Sequence, residues 1–378
     1  MSTGFSLTRT WAVLAKEFTQ MRRDRITFAM MLGLPIVQLM LFGYAINSDP
    51  KHLPTAVLVQ DRGAYSRSIL SALTNSSYFD ITGVARTPAE LDRMMAMDKA
   101  EFTVTIPPDF TRRVVRHDDA QILVEADASD PTAASGGVAA LAQLPATALA
   151  HDLTGPASAA TQAQPPFQVI VHRRYNPEGL TSYNIVPGLL GVVLSLTLVM
   201  MTALGVTREV ERGTMETLLA TPVQPLEVMI GKLAPYVLVG LVQTALILTL
   251  ARGLFDVPMQ GGWAALSVGV VLFIIGSLAL GFLISTVSRN QRQAMQLSFF
   301  YIMPSILLSG FMFPFRGMPA WAQALGSVIP VTHFLRIVRG ALLKGHGFVE
   351  MWPSLSALAI FVVAVSTLAV VRYRTTLD

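Results

Sequence analysis

The charged side chains of residues 207–232 are the group in this sequence whose types and spacing most clearly indicate a function. The stretch reads TREVERGTMETLLATPVQPLEVMIGK and lies between long apolar runs. Its acidic and basic residues recur three or four positions apart, which is the spacing of neighbours on a helix surface. The pairs are Arg208 with Glu211, Glu209 with Arg212, and Arg212 with Glu216. They predict a short amphipathic helix at residues 207–222.

The chemistry that this helix favours is docking rather than catalysis. Exposed ion pairs contribute only about 0.3–0.5 kcal/mol each, so helix stability alone does not account for them. Two uses remain, namely anchoring at the membrane surface and contact with a soluble partner.

The sequence holds no Cys, which excludes a thiol nucleophile and a thiolate metal site. Gly231–Lys232 lacks the upstream Gly and the following Ser or Thr of a phosphate-binding loop, so we expect no nucleotide cofactor and no enzyme activity on this chain.

Composition indicates a membrane protein. The 378 residues are 52% hydrophobic and only 14% charged, whereas a soluble domain is about 25% charged. No basic tract with interleaved aromatic residues occurs, so nucleic-acid binding is not expected. Charge-free windows of about 20 residues predict six transmembrane helices. These windows are residues 26–46, 183–206, 233–251, 263–287, 293–313 and 351–371.

The predicted spans contain no Asp, Glu, Lys, Arg or His. Ionisable groups within a bilayer usually mark proton relays or ion sites, so their absence argues against a proton-coupled pump and an intramembrane protease. If this protein moves a solute uphill, the energy must enter from elsewhere. A further apolar run at residues 317–335 is interrupted by Pro319 and Pro330. It predicts a re-entrant or interfacial helix pair within residues 314–345 rather than a seventh span.

Basic residues set the predicted orientation. With six spans, the basic residues of segments 1–25, 207–232, 289–292 and 372–378 all fall on one side, which places both termini in the cytoplasm and the chain in a bacterial inner membrane. We expect residues 1–25 to form an amphipathic helix at the cytoplasmic face, before the first span at residues 26–46. Residues 314–345 would face outward, although they carry four cations that weaken the rule there. The four are Arg316, Arg336, Arg339 and Lys344.

Residues 47–180 predict an extracytoplasmic mixed α/β domain inserted between the first and second spans. Strand patterns at residues 54–61, 101–106, 120–127 and 167–176 alternate with helix patterns at residues 64–75, 87–95, 110–117 and 131–151. Gly136, Gly137 and Pro145 predict interruptions of the last helix. The domain is a spacer or docking module in one interpretation and a ligand sensor in the other. The expected fold class is a mainly α-helical polytopic membrane protein, with residues 181–378 forming transmembrane helices two to six.

The charged stretch resembles the coupling helix of the type 2 ABC transporter permeases. In that family a Glu-Arg-Gly-Thr-x-Glu-x-Leu core follows the second span, and a Thr-Pro pair lies a few residues further on. The matching residues here are Glu211, Arg212, Gly213, Thr214, Glu216, Leu218, Thr221 and Pro222. The segments AVLAKEFTQMRRDR before the first span and PVTHFLRIVRGALLKG before the last are also similar to the family. The large outside domain, with IPPDF and ASDPTAA, is similar to its drug-exporter-like branch.

The resemblance implies the membrane subunit of an ABC exporter. Such permeases work in pairs, as two copies or two similar chains, and ATP and magnesium bind to separate cytoplasmic ATPase subunits. A periplasmic adaptor is a further possible partner. The resemblance assigns the ATPase contact to Glu209, Glu211, Arg212, Gly213, Thr214, Glu216, Leu218 and Pro222. Arg22, Arg23 and Arg25 add contacts or, as an equal alternative, bind anionic lipid.

The expected cargo is an amphipathic or hydrophobic solute, drug-like or lipid-like, because the candidate lining of the path is apolar and aromatic. The candidates are Met200, Met201, Phe299, Phe300, Tyr301, Ser305, Phe311 and Met312. Ordinary helix packing is the alternative interpretation of each of them. The alternative function is a membrane-anchored ligand sensor that uses the extracytoplasmic domain, and charge-free spans disfavour a secondary transporter.

Overall fold

The chain forms a five-stranded α/β unit that leads into a bundle of long apolar helices. The computed structural model describes residues 50–153, 165–212 and 225–372. The first unit, named here the sheet domain, contains five strands and four helices. These are β1 (Leu53–Val59), α1 (Ala64–Asn75), β2 (Phe79–Val84), α2 (Pro88–Ala96), β3 (Phe102–Ile106), α3 (Phe110–Arg116), β4 (Gln121–Asp127), α4 (Pro131–Thr147) and β5 (Gln168–Arg174).

The sheet has the strand order β2-β1-β3-β4-β5. β3 runs antiparallel to β4, and every other neighbouring pair is parallel. The core is built on the central strand, where Phe102, Val104 and Ile106 are fully buried. The predicted mixed α/β character is therefore confirmed. β2 is a strand that the sequence patterns did not indicate, because it is an edge strand in which exposed and partly buried positions follow a single buried Phe79.

Helix α4 corrects the predicted interruption at Gly136, Gly137 and Pro145, because it runs unbroken from Pro131 to Thr147. A Cβ at Gly137 would lie 2.7 Å from Cζ of Phe102, so the glycine lets the helix approach the sheet closely instead of ending it. Asp130 caps the helix, since its Oδ1 accepts hydrogen bonds from the backbone N–H groups of Thr132 and Ala133.

A short connector joins the sheet domain to the first long helix of the bundle. Only six residues separate the end of β5 at Arg174 from the start of that helix at Thr181. The buried side chain of Asn176 bridges the turn, because its Nδ2 donates to the carbonyl of Leu180 at 3.0 Å and its Oδ1 accepts from the Leu180 N–H at 2.9 Å. The connector is thus a closed, hydrogen-bonded turn.

The second unit, named here the helix bundle, contains seven α-helices and two short helical turns in the described residues. They are α5 (Thr181–Glu211), α6 (Pro225–Phe255), α7 (Trp263–Val287), α8 (Gln291–Leu308), a 3₁₀ turn (Phe315–Gly317), α9 (Ala320–Val328), α10 (Pro330–Arg339), a π-helical turn (Gly340–Lys344) and α11 (Phe348–Arg372). α7 lies at the centre, packed against α5 and α11.

Four of the six predicted spans are helices long and apolar enough to cross a membrane, within the part of the chain that the structure describes. They are Thr181–Glu211, Pro235–Phe255, Trp263–Val287 and Phe348–Arg372. The first predicted span, residues 26–46, lies outside the described residues. α8 covers much of the fifth, but it ends at Leu308 and its first turns carry Arg292 and Gln296. A total of six spans stays a prediction, and so does the membrane placement of the helix pair α9–α10.

Close contact between α5 and α7 depends on Gly281. A Cβ at this position would lie 2.6 Å from the carbonyl oxygen of Val199 and 2.8 Å from Cβ of Thr202, both on α5. Small residues permit such approach between apolar helices, for which packing is the main source of stability in a membrane. α10 closes the end of this pair, because Phe334 stacks on Phe273 of α7 with ring centroids 4.1 Å apart.

Replacing Gly281 by Ala should destabilise the bundle, because the new methyl group meets backbone atoms that cannot rotate away. We expect a clearly lower midpoint of thermal unfolding for the purified full chain in detergent. Gly253→Ala is the matched control, since a Cβ there has no neighbour within 4 Å. Its midpoint should stay equal or rise, because Ala is favoured over Gly in a helix by about 1 kcal/mol. Equal midpoints for Gly281→Ala and the wild type would contradict this account of the packing.

Candidate functional site

Four carboxylates converge at one end of the sheet. Glu101 precedes β3 and Asp127 ends β4, and since these strands are antiparallel the two residues are neighbours. The Asp127 N–H donates to the carbonyl of Glu101 at 2.8 Å. Asp98 lies in the turn after α2, and Asp130 caps α4. The strand ends therefore present an acidic edge to the helix bundle.

Lys344 of the bundle lies between two of these carboxylates. Its Nζ donates to Oδ2 of Asp127 at 2.6 Å and also to Oδ1 of Asp98. Its side chain is only 6% exposed. The π-helical turn that carries it ends at Gly345, whose φ of 72° is in the left-handed region that glycine tolerates best. A buried cation thus connects two acidic groups of a different domain.

Two arginines extend the contact between the sheet domain and the bundle. Arg339 of α10 donates to the carbonyl of Gly310 at 3.1 Å and to Oδ1 of Asn184, and it lies 3.7 Å from Asp130. Arg316 donates to the carbonyl of Asp98 at 2.8 Å, and its Nε lies 3.5 Å from Glu101. We name the whole set the junction. It consists of Asp98, Glu101, Asp127 and Asp130 with Arg316, Arg336, Arg339 and Lys344.

The junction shifts the pKa values of its members in opposite directions. Burial alone would lower the pKa of Lys344, but the adjacent Asp127 and Asp98 outweigh burial and raise it. Burial tends to raise the pKa of Asp98, yet Lys344 dominates and lowers it. Burial raises the pKa of Glu101 to about 7, because Arg316 offsets it only in part and Asp127 and Asp130 add to it.

A cavity of about 300 Å³ lies within the junction. It separates the acidic edge of the sheet domain from the ends of α10 and α11 in the bundle. Its wall combines charged side chains with a few apolar ones. The lining includes all eight junction residues together with Met97, Phe315, Glu350, Pro353 and Ser354. Small-molecule sites in proteins begin at about this size.

The opposite end of the bundle holds the first residues of the predicted docking segment. Residues 207–211 continue α5 instead of starting a separate helix, so the predicted boundary at residue 207 lies inside a long helix. Glu209 is part of this last turn and Arg212 follows it. Gly213, Thr214, Glu216, Leu218, Pro222 and the N-terminal Arg22, Arg23 and Arg25 lie outside the described residues, so their roles stay predictions.

Glu211 makes a contact within the bundle that the sequence did not indicate. Its Oε1 accepts from the backbone N–H of Gln291 at 2.8 Å, and its Oε2 accepts from Nε2 of the same residue at 2.6 Å. These hydrogen bonds lower the pKa of Glu211. Because Gln291 begins α8, the carboxylate also lies at the positive end of that helix. Glu211 therefore connects the end of α5 to the start of α8.

Some of the candidate path residues pack inside the bundle, and the others are exposed on its surface. Met200 and Tyr301 contact one apolar cluster between α5, α7 and α8, and Ser305 donates to the carbonyl of Tyr301 at 2.7 Å. Phe311 lies apart from them, against Gly188 of α5. The other group is exposed on the surface of the single chain, namely Met201 at 39%, Met312 at 54%, Phe299 at 37% and Phe300 at 36%. The structure does not bring all the candidates together, and their role in transport stays a prediction.

Comparison with known proteins identifies the family. The profile described as "ABC-2 family transporter protein" matches residues 25–371, which is most of the chain. The chain belongs to the ABC-2 transporter family. This ABC-2 protein is 31% identical over 343 residues to "Probable multidrug ABC transporter permease YbhS" of Escherichia coli (strain K12), with 89% of each chain covered. It is 26% identical over 366 residues to "Probable multidrug ABC transporter permease YbhR" of the same organism, with 97% of this chain and 98% of that one covered.

"Inner membrane transport permease YhhJ" of Escherichia coli (strain K12) is similar as well, at 27% identity over 336 residues and 86% of each chain. The predicted resemblance to type 2 ABC permeases is thereby confirmed. Membership of this family and four apolar spans together make the ABC-2 protein a membrane-embedded transport permease. Its relatives' names support that role.

Lys344→Met should loosen the contact between the sheet domain and the bundle of the ABC-2 protein, because it leaves Asp98 and Asp127 without their cation. Removing one partner of a buried pair typically costs about 3–5 kcal/mol. We expect faster amide hydrogen exchange at the end of β4 and in α10, measured on the full chain. Lys99→Met is the control, since Lys99 is an exposed lysine of the same domain. Identical exchange in both variants would show that the ion pairs do not hold the domain in place.

Glu101→Gln should flatten the pH dependence of stability. The ordinary pKa of this carboxyl is 4.5, and in the fold it rises to about 7. A carboxyl whose pKa is raised by folding makes its full contribution to folding stability at pH values below its pKa in the unfolded state. That contribution is lost as the pH rises through its pKa in the folded state. The midpoint temperature of unfolding of the wild type should thus fall as the pH is raised from about 5 to about 8. The midpoint of the variant should fall less over the same pH range. Glu178→Gln, at an exposed acid, should keep the wild-type slope, and an unchanged slope in Glu101→Gln would contradict the prediction.

Proposed function

We propose that this chain is the membrane subunit of an ATP-driven exporter, which moves an amphipathic or hydrophobic solute outward across the inner membrane. A separate cytoplasmic ATPase would supply the energy, because the chain carries no phosphate-binding loop. Membership of the ABC-2 family supports this proposal, and so do two relatives whose names describe multidrug transport. The ligand-sensor alternative has less support, because the family match covers the helices as well as the sheet domain.

The contact between Glu211 and Gln291 is the observation that carries the proposal. An ATPase docked on residues 213–222 would push on the end of α5, where both carboxylate oxygens of Glu211 hold the start of α8. α8 would therefore move with α5. Its 18 residues extend for about 27 Å towards the sheet domain. Just beyond its end, the carbonyl of Gly310 accepts a hydrogen bond from Arg339 of the junction.

This path gives a mechanical explanation of coupling. Movement at the docking segment reaches α8 through Glu211, and α8 carries it to the junction through Gly310 and Arg339. The junction holds the sheet domain by its ion pairs, so closure of the ATPases on one side would shift the domain on the other. The described parts of the spans are apolar in their central turns, which suits a solute without a fixed charge at that depth.

Exposed surfaces of the chain suggest two further partners, a second permease chain and a periplasmic adaptor. Met201, Phe299 and Phe300 are apolar side chains that a single chain leaves uncovered, and in a membrane either lipid or a second permease chain covers them. We propose a pair of permeases, with two copies of this chain or one copy and a similar chain. The sheet domain, on the outer side in this orientation, is the surface that a periplasmic adaptor would contact.

Glu216→Lys should prevent coupling to the ATPase, because it reverses a charge in the predicted docking segment. The chain is co-expressed with its candidate ATPase subunit, and complex stoichiometry and ATPase rate are measured in nanodiscs. We expect a two-plus-two wild-type complex and at least tenfold weaker assembly for the variant. Glu211→Ala should keep the complex and lower the stimulated ATPase rate, since it releases α8 and leaves residues 213–222 intact.

Glu178→Lys is the matched control, because it reverses the charge of an exposed acid within the connector, on the opposite side of the predicted membrane. It should assemble and hydrolyse ATP like the wild type. A wild-type chain that purifies alone and leaves the ATPase rate unchanged would overturn the proposal. Full coupling in Glu216→Lys would overturn the assignment of the docking segment.

A further inference from the structure

Exposed Trp side chains surround the end of the bundle that carries the junction cavity. The three Trp residues among the described parts of the chain are all near the ends of the helices that face the sheet domain. Trp263 begins α7, Trp321 is in α9 and Trp352 is in the second turn of α11, and they are 61%, 45% and 66% exposed. Exposed Trp side chains concentrate at membrane–water interfaces. This pattern is typical of a bundle end at the depth of lipid headgroups, and the α11 residues Pro353 and Ser354 line the cavity beside Trp352.

Arg336 is the junction cation without a carboxylate partner. Among the described residues no acid lies within ion-pair distance of its guanidinium, which stacks over the ring of Phe315 at 4.9 Å. Burial lowers its pKa; Asp98 opposes this only in part, and Arg316 and Arg339 add to it. Arg336 is on the polar face of α10, whose opposite face is buried in the bundle. Arg336 is exposed in the single chain and makes no side-chain hydrogen bond among the described residues, and it forms part of the cavity wall.

Glu101 is the junction acid whose charge is least satisfied. Its one ion pair in the described structure is with Nε of Arg316 at 3.5 Å, beyond the range of a strong charge-assisted hydrogen bond. The other cavity acids have closer partners. Asp98 and Asp127 contact Lys344, Asp130 caps α4, and Glu350 accepts from the Gly347 N–H at 2.9 Å. Glu101 and Arg336 make no ion pair with each other, although both line the cavity.

We propose that the junction cavity binds the zwitterionic headgroup of an amphipathic molecule, with its phosphate at Arg336 and its ammonium group at Glu101. A guanidinium recognises phosphate through two parallel hydrogen bonds, and an ammonium group supplies a closer cation to a half-buried carboxylate whose ion pair with Arg316 is long. The volume of about 300 Å³ accommodates a group of phosphoethanolamine size. Met97, Phe315 and Pro353 provide apolar wall for the start of an acyl chain. The site depends on the junction alone and does not rest on ATP-driven export.

Binding is tested on the full chain, purified in a phospholipid-free detergent, without ATPase or nucleotide. The probes are dioctanoyl phosphatidylethanolamine, dioctanoyl phosphatidylglycerol, which lacks the ammonium group, and free phosphoethanolamine. Native mass spectrometry measures their affinities. We expect the ethanolamine lipid to bind most tightly. Arg336→Gln should weaken both lipids about tenfold. Glu101→Gln should weaken only the ethanolamine lipid, to the level of phosphatidylglycerol.

Two controls separate recognition from general attraction and from misfolding. Arg252→Gln removes an exposed guanidinium at the same end of the bundle, outside the cavity, and should bind like the wild type. Arg336→Lys keeps the charge but not the planar fork, so its affinity should be intermediate. The unfolding midpoint of Arg336→Gln should stay close to that of the wild type, because that side chain holds no ion pair in the described fold and loses only its stacking on Phe315.

Each outcome decides the proposal. Binding of free phosphoethanolamine as tight as that of the lipid identifies a soluble zwitterion as the source, and binding of the lipid alone identifies the membrane. The proposal is overturned if a correctly folded Arg336→Gln binds all probes like the wild type. If Arg336→Gln does not fold, the same result with Arg336→Lys overturns it. It is also overturned if Arg252→Gln loses as much affinity as Arg336→Gln, or if Glu101→Gln still prefers the ethanolamine lipid. None of these results depends on whether the chain couples to an ATPase.

Discussion

Burial of the Lys344 ammonium group between Asp98 and Asp127 is the constraint on which the arrangement of the two units depends. A buried charge is costly unless its counter-ions are in place, so only one docking position of the sheet domain satisfies all three groups. The strand pairing fixes the acids on one side, because antiparallel β3 and β4 bring their ends together. The π-helical turn, which ends at Gly345, fixes the cation on the other. Domain position is therefore specified by chemistry rather than by a large apolar interface.

The same arrangement makes the two ends of the bundle parts of one system. Glu211 connects α5 to α8 at the end that we assign to the cytoplasm, and Gly310 connects the end of α8 to Arg339 at the junction. Helices are stiff over this length, and the contacts at both ends are polar and directional. The proposed transport cycle needs such a connection, because the ATPase and the outer surface would lie on opposite sides of the membrane.

Local patterns predicted much of this fold. Period-two and helix-periodic stretches identified four of the five strands, and charge-free windows identified four helices that the structure confirms as long and apolar. Three features were missed for physical reasons. β2 has Asp80 and Gly83 in a short edge strand, Gly137 serves close packing where the sequence suggested a break, and α5 extends past residue 207. None of these is decided by the local sequence, because each depends on what the segment packs against.

The junction was beyond sequence reasoning, because Lys344 and Asp127 are 217 positions apart. One signal did exist, since four cations in residues 314–345 occur where the orientation rule predicts few. Three of these cations, Arg316, Arg339 and Lys344, contact the acidic edge of the sheet domain, which explains their presence in this segment. The docking residues from Gly213 to Pro222 rest on the family resemblance alone, whereas the hydrogen bonds of Glu211 are a finding of the structure.

The turn held by Asn176 determines how far the sheet moves when α5 tilts. Because it joins β5 to α5 through a closed hydrogen-bonded loop, the sheet and the helix behave as one bent arm with its elbow at residues 175–180. The opposite edge strand β2 lies four strand spacings from β5, or about 19 Å. A tilt of α5 by about 10° would sweep that edge through about 3 Å, as follows from the same spacing. A small tilt of α5 is thus enlarged at the rim of the sheet.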